Sequence, residues 1–310
     1  MTQQFLNNRF QMKPLQTSRL ASIAILSLSF LVSVNGADAS KSVDESADRI
    51  GAIEQRLGGQ LGVLAIDTGT GRKIEHRATE RFPMCSTFKL LLAGAVLDRV
   101  DKHQESLDRR ITYGENDLLE WAPVAKEHLK EGGMTVEAMC AAAVDYSDNT
   151  AANLLLQSIG GPSKLTEYLR SIGDKVTRLD RNEPELNTAI AGDPRDTATP
   201  TSMLNSVNTL VLGQALSENS RKQLTDWLVA NTTGGARLRA GLPAGWRIGD
   251  KTGTGRNSAT NDVAIVWPPD QAPILIVAFF VGSKADSSKR EAAIAEVGRI
   301  VADTFGTPTQ

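Results

Sequence analysis

One serine in this chain has a lysine three residues after it, in Cys85-Ser86-Thr87-Phe88-Lys89. A serine hydroxyl attacks carbonyl carbon at neutral pH only with a base in hydrogen-bond reach, and a lysine shielded from water can be that base. Phe88, Leu91, Leu92, Ala95 and Val96 fall at i, i+3, i+4, i+7 and i+8. That spacing predicts a helix with one buried face. Ser86 then lies in its first turn, where backbone N–H groups lack partners and the dipole is positive. Lys89 shares a face with the Ser86 hydroxyl. By itself the motif equally describes a capping serine beside a solvated lysine.

Three later segments offer complementary chemistry. Ser147-Asp148-Asn149 supplies a hydroxyl, a carboxylate and an amide, and taken alone reads as a helix start capped by Asp148. In Glu183-Pro184-Glu185-Leu186-Asn187 an acid and an amide stand i, i+4 across a turn whose start Pro184 favours. Together they could hold and deprotonate one water molecule, although the same string is also an ordinary surface loop. Lys251-Thr252-Gly253-Thr254 presents a cation and two hydroxyls suited to a carboxylate. His76, His103 and His128 are scattered without metal-ligand spacing, so neither a metal nor another cofactor is expected. His76 is expected to face solvent from a strand.

The elements that must position these groups are legible in outline. Arg9, Lys13 and Arg19 precede an almost wholly apolar stretch from Leu20 to Val34, followed by Ala37-Asp38-Ala39. This order predicts a secretory signal peptide over residues 1–39, cleaved after Ala39. The apolar run is shorter than the ~20 residues that span a bilayer, so no membrane anchor is expected. Cleavage removes three basic residues and one acid from totals of 34 and 36, leaving 31 against 35 and a net charge of −4. With no basic run, nucleic acid is not an expected partner. A helix is predicted over 44–57, ended by Gly58-Gly59, and then a hairpin over 61–77. Residues 79 to about 230 read as largely helical. Strands are predicted over 246–250, 261–267 and 274–281, and an amphipathic helix over 287–305. The fold class expected is α/β plus all-α. A mostly antiparallel sheet flanked by helices, built from residues 40–78 and 231–310, receives an inserted helical domain, 79–230, with the site between them.

The order S-x-x-K, S-D-N, E-P-E-L-N and K-T-G resembles that of the class A serine β-lactamases, and the resemblance covers nearly everything from Ala39 to Phe305. It implies hydrolysis of the β-lactam ring of penicillins and cephalosporins, giving antibiotic resistance, by an exported periplasmic or secreted monomer whose partner is the small-molecule substrate. Ser86 would be acylated, with an oxyanion hole from the N–H groups of Ser86 and Thr254. Ser147 would pass a proton to the departing ring nitrogen, beside Lys89 and Lys251. Asn149 matches the residue that holds the substrate's acylamino carbonyl. Lys251, Thr252, Gly253 and Thr254 match the carboxylate site, and Arg237 matches an arginine that reinforces it in some members. Glu183 with Asn187 would activate the deacylating water, and Arg181 with Asp196 would be the ion pair pinning their loop. The family's Glu-Pro bond at this place is cis. Whether Lys89 or Glu183 is the acylation base stays open.

Some members pair a cysteine at the Cys85 place with one where this chain has Gly255. Others pair the Cys140 place with one where this chain has Ala93. Both partners are missing, so Cys85 and Cys140 are expected as buried free thiols. Cys85, Trp121, Thr254 and Arg237 together resemble the carbapenem-hydrolysing branch, with Trp121 walling the site mouth. The rival readings are a D,D-peptidase (penicillin-binding protein) and a β-lactam-sensing receptor domain. Glu183 with Asn187 speaks against the first, and the lack of a membrane segment after residue 39 against the second.

Overall fold

A computed structural model describes residues 34–306 of the chain. The basic and apolar part of the expected signal peptide, residues 1–33, lies outside the described residues, and the expected cleavage position falls within the first described helix. In chain order the elements begin with α1 (Val34–Leu57), β1 (Gln60–Asp67), β2 (Lys73–His76) and β3 (Phe82–Pro83). A 3₁₀ turn, Cys85–Thr87, leads into α2 (Phe88–Asp101), followed by β4 (Arg110–Thr112), α3 (Pro123–Glu127), β5 (Gly133–Thr135), α4 (Val136–Asp145), α5 (Asn149–Ile159) and α6 (Pro162–Ser171). After a long loop come β6 (Thr197–Ala198), α7 (Pro200–Val211), α8 (Glu218–Ala230) and α9 (Leu238–Gly241). The chain closes with β7 (Arg247–Thr254), β8 (Thr260–Trp267), β9 (Ile274–Val281) and α10 (Ser287–Phe305).

Both ends of the chain build one antiparallel sheet in the order β2-β1-β9-β8-β7. Alternation along β9 explains why its sequence is continuously apolar. Ile274, Ile276, Ala278 and Phe280 pack with Ile50 and Ile53 of α1 and with Ile294, Val297 and Val301 of α10. Leu275, Val277, Phe279 and Val281 turn the other way, into the core shared with the helices of residues 88–230. A strand covered on both faces has no polar side to display.

Two expectations need correction. Helix α2 was expected to bury one face, but every residue from Phe88 to Asp98 is buried. It is the axis of the helical layer, packed against α4, α5, α6, α7 and α8, so even Lys89 is enclosed. His76 does not face solvent freely: its ring is about three-quarters buried, with Nε2 3.3 Å from Glu54 Oε2. Residues 79–230 also hold two short ladders, β3 with β6 and β4 with β5. Strands of two or three residues carry no readable periodicity, and their partners are distant in sequence. The first ladder matters for the site, because Phe82↔Ala198 and Pro83↔Thr197 bring the segment before Ser86 to the end of the long loop.

Local chemistry fixes the helix starts. Asp148 caps α5, accepting from Ala151 N at 2.9 Å, and its other oxygen takes Val124 N and Ala125 N at the start of α3. Asp286 caps α10, and Thr199 caps α7 in a reciprocal pair with Ser202.

Candidate active site

Ser86 sits in the 3₁₀ turn before α2, presented by a strained backbone. Cys85 has φ +48°, a region that L side chains avoid, and costs about 1–3 kcal/mol. The turn is pinned by Met84 N donating to Asp196 O at 3.0 Å and by Thr87 Oγ1 donating to Met84 O at 2.8 Å. Strand β7 closes on it from the sheet side. A Cβ at Gly253 would lie 2.7 Å from Met84 O, so the approach requires glycine there.

The Ser86 hydroxyl donates to Glu183 Oε1 at 3.2 Å. The same oxygen lies 3.0 Å from Lys89 Nζ, and both side chains are fully enclosed. Lys89 also donates to Ser147 O at 2.8 Å, Asn149 Oδ1 at 2.6 Å and Ser147 Oγ at 3.4 Å. Burial pushes the Lys89 ammonium below its ordinary range, with the Glu183 charge opposing that shift. Ser147, itself left-handed at φ +58°, receives a second lysine on its hydroxyl, Lys251 Nζ at 3.1 Å. One hydroxyl therefore bridges two buried ammonium groups.

Glu183 is held from three sides. Asn187 Nδ2 donates to its Oε2 in a short bond. Asn153, on α5, grips its backbone at both polar groups, Oδ1 accepting from Glu183 N at 2.9 Å and Nδ2 donating to Glu183 O at 2.8 Å. The Glu183-Pro184 peptide is cis. Asn187 Oδ1 is buried and has no protein partner among the described residues. The loop closes on itself through Asp196, whose Oδ2 takes Arg181 Nε at 2.6 Å and whose Oδ1 takes the N–H groups of Asp180 and Arg181 at 2.7 and 2.9 Å. Asp180 reciprocates by accepting from Asp196 N at 3.0 Å.

On β7, Lys251 is fully buried and its ammonium is pushed down to about 7, first by burial and then by repulsion from Lys89. Thr252 bonds Thr233 hydroxyl to hydroxyl at 2.5 Å, Thr233 donates to Asn231 Oδ1 at 2.8 Å, and Asn231 Nδ2 donates to Asp250 Oδ2 at 2.7 Å. Arg239 pairs with the same aspartate. Arg237 is not a surface arginine. It is 5% exposed and donates to Gly253 O at 3.0 Å, Asn261 O at 2.8 Å and Thr254 Oγ1 at 2.7 Å, with Glu291 3.3 Å away. Trp121 is 57% exposed, donates its indole N–H to Tyr146 O at 3.2 Å, and accepts at its carbonyl from Asn149 N at 3.0 Å. It stands beside the site and does not pack into the core.

The structure thus gathers Ser86, Lys89, Ser147, Asn149, Glu183, Asn187 and Lys251 into one bonded constellation. Arg237 holds Gly253 and Thr254 from behind, and Arg181 with Asp196 braces the loop. The sequence reading missed Asn153, Asp180, Thr233, Asn231 and Asp250. Each acts through a contact between distant segments, and no local motif marks it. An oxygen bonded to both a serine hydroxyl and a buried ammonium, with the serine at a helix start, is an arrangement for acyl transfer.

A sequence profile of the β-lactamase enzyme family matches residues 45–305. The chain is 46% identical to β-lactamase OXY-2 of Klebsiella oxytoca, across 84% of this chain and 90% of that protein. It is 48% identical to the carbapenem-hydrolyzing β-lactamase KPC of Klebsiella oxytoca, across 85% and 90%. A solved ancestral class A β-lactamase superposes with a TM-score of 0.83 at 59% identity, covering 84% of this chain and all of that one.

The chain belongs to the class A β-lactamases. As a member of that family it is a hydrolase of the β-lactam amide bond, an activity that confers antibiotic resistance. The β-lactamase fold explains the segment order: the sheet ends supply β7, while the helical layer supplies Ser86, Ser147 and Glu183. Cys85 and Cys140 are both buried and unpaired in this β-lactamase, and burial pushes the Cys85 thiol up to about 12.

Proposed function

We propose that turnover runs through a Ser86 acyl-enzyme released by water that Glu183 activates. The bond between the Ser86 hydroxyl and Glu183 Oε1 carries this reading. In acylation Ser86 Oγ attacks the lactam carbonyl while its proton passes to Glu183. The negative charge on the carbonyl oxygen is met by the N–H groups of Ser86 and Thr254, a type of site in which one donor is worth about 10²–10³ in rate. The C–N bond then breaks, and the ring nitrogen takes a proton from Ser147; Lys89 replaces that proton and takes up the one Glu183 received from Ser86, so that Glu183 is a carboxylate again before deacylation. In deacylation a water held by Glu183 and Asn187 gives one proton to Glu183 and adds its oxygen to the ester carbonyl. Collapse returns a proton to Ser86 Oγ and frees the ring-opened acid.

Substrate recognition is assigned to the groups around this path. Lys251, Thr252 and Thr254 take the lactam carboxylate, with Gly253 allowing the strand's close approach and Arg237 orienting Thr254. The NH₂ group of Asn149, whose oxygen is engaged by Lys89, donates to the acylamino carbonyl. Trp121 walls the mouth. Arg181 and Asp196 keep the Glu183 loop in place. We assign residues 79–230 to a helical lobe and 40–78 with 231–310 to an α/β lobe, with the site between them.

The proposed substrate range includes penicillins, cephalosporins and carbapenems. The carbapenem part rests on similarity to KPC and on Cys85, Trp121, Thr254 and the buried Arg237. No helix among the described residues is long and apolar enough to cross a membrane, and the leader composition supports export to the periplasm or outside the cell, where we propose that the protein acts as a monomer. The test is steady-state turnover of a penicillin and a carbapenem. Multiple turnovers of both support the full reading, whereas a stoichiometric burst with a penicillin would return the D,D-peptidase or sensor reading.

A further inference from the structure

The loop that carries Glu183 and Asn187 is anchored to the core by Leu186 and Ala189, and a cavity opens beside that anchor. Between residues 186–194 and the sheet end lies a cavity of about 440 Å³. Its floor is Gly59 and Gln60 at the start of β1 with Val281 and Gly282 at the end of β9. Its roof is Leu186, Ala189, Ile190 and Ala191. The apolar walls are joined by three guanidinium groups, those of Arg81, Arg181 and Arg195, and by the Asp193 carboxylate.

The charges are unequally satisfied. Arg181 is committed to Asp196 at 2.6 Å and Arg195 to Asp193 at 2.7 Å. Arg81 has no carboxylate partner among the described residues: it donates to Thr197 Oγ1 at 3.0 Å and Val176 O at 3.1 Å, both neutral. An apolar concavity with one uncompensated guanidinium at its edge suits a compact hydrocarbon body carrying a single carboxylate. Ile190, 56% exposed, is a large apolar side chain on the roof that such a body would cover.

The roof is also continuous with the catalytic loop. Leu186 and Ala189 flank the pair Asn187-Thr188, and Thr188 Oγ1 is bonded to Arg181. On the other side Asn187 O accepts from Arg256 N at 2.8 Å. Pressure on the roof therefore bears on the Asn187 side chain that fixes Glu183 Oε2.

We infer that this cavity binds small amphipathic monocarboxylates, and that its occupation slows deacylation by displacing Asn187 from Glu183. The second half rests on the proposed role of Glu183 and Asn187; the first half does not. In the folded, full-length protein with labelled Ile and Ala methyl groups, titration with cyclohexanecarboxylate is expected to give saturable shifts at Ile190 and Ala191. Arg81→Gln weakens that affinity at least tenfold, Arg81→Lys retains it, and Ala191→Phe, which fills the space, removes it. In turnover the same carboxylate lowers kcat severalfold at unchanged acylation rate. Absent shifts, or shifts equal in the wild type, Arg81→Gln and Ala191→Phe, would overturn the site. Purely competitive inhibition would assign the carboxylate to the Lys251 site instead, and saturable shifts with unchanged kcat would overturn the coupling. Because the methyl titration needs no substrate, an enzyme lacking lactam turnover would sink the catalytic reading while leaving the cavity testable.

Discussion

Ser86 Oγ donates to Glu183 Oε1 at 3.2 Å, across 97 residues of sequence, while Lys89 three positions away directs its ammonium to that same oxygen and to Ser147 and Asn149. The carboxylate is thus placed to receive the serine proton, and the lysine is placed to compensate the carboxylate. A buried ion pair of this kind is held by its surroundings, since desolvation opposes each charge separately.

Replacing Glu183 by alanine removes both proposed proton transfers. We expect deacylation to fall by about 10³-fold, within the usual range for general-base catalysis, and to fall further than acylation. Intact-protein mass spectrometry after brief exposure to a penicillin should show a persisting adduct. Full steady-state hydrolysis by this variant would refute the role. Glu183→Gln separates the acylation base: an unchanged acylation rate would shift that task to Lys89.

Asn153→Ala strips two hydrogen bonds from the Glu183 backbone. Leaving those buried groups unpaired costs about 1–3 kcal/mol each. The variant should melt lower and lose kcat more than kcat/KM, because the proposed mechanism needs the loop most for deacylation. A lowered melting point with unaltered partition between acylation and deacylation would reduce Asn153 to a purely structural part.

The Lys251 ammonium, held near 7 instead of its ordinary 10.5, gives a sign for pH dependence. Burial and Lys89 lower it, while Asp250 and Asp262 oppose them. In the proposed carboxylate site the charged form attracts the substrate and dominates below about 7, so kcat/KM for carboxylated lactams should decline as pH rises above that value. Saturating substrate holds the proton on, so kcat should decline less. Lys251→Arg should remove the limb, because guanidinium stays charged. An unchanged basic limb in that variant would assign it to another group.

A Cβ built at Gly255 would lie 2.6 Å from Cys85 Sγ, so cysteine there would bring a second sulfur into bonding reach. Gly255→Cys should form a disulfide with Cys85. Alkylation under denaturing, non-reducing conditions should then label one thiol, Cys140, where the wild type labels two. Three labelled thiols would show that the loop at Asn187, whose carbonyl is 2.9 Å from the same position, prevents closure.

Lys251-Thr252-Gly253-Thr254, Glu183 with Asn187, and Ser86 with Lys89 were legible as candidate chemistry in the chain because each is a short run whose residue types and spacing suggest it. The terminal strands and α10 were legible for a similar reason: apolar periodicity is a local record of which side meets the core. The family's segment order then implied their convergence. Tertiary structure alone decided that α2 is enclosed on every side, since its surroundings come from five other helices. It alone showed Asn153 gripping Glu183, Arg237 buried behind Thr254, and the β3–β6 ladder joining the Ser86 turn to Asp196. Those contacts link residues tens to more than a hundred positions apart, and a hydrogen bond between distant segments leaves no pattern in either one. Sequence determined which groups could react; packing decided which oxygen each proton faces.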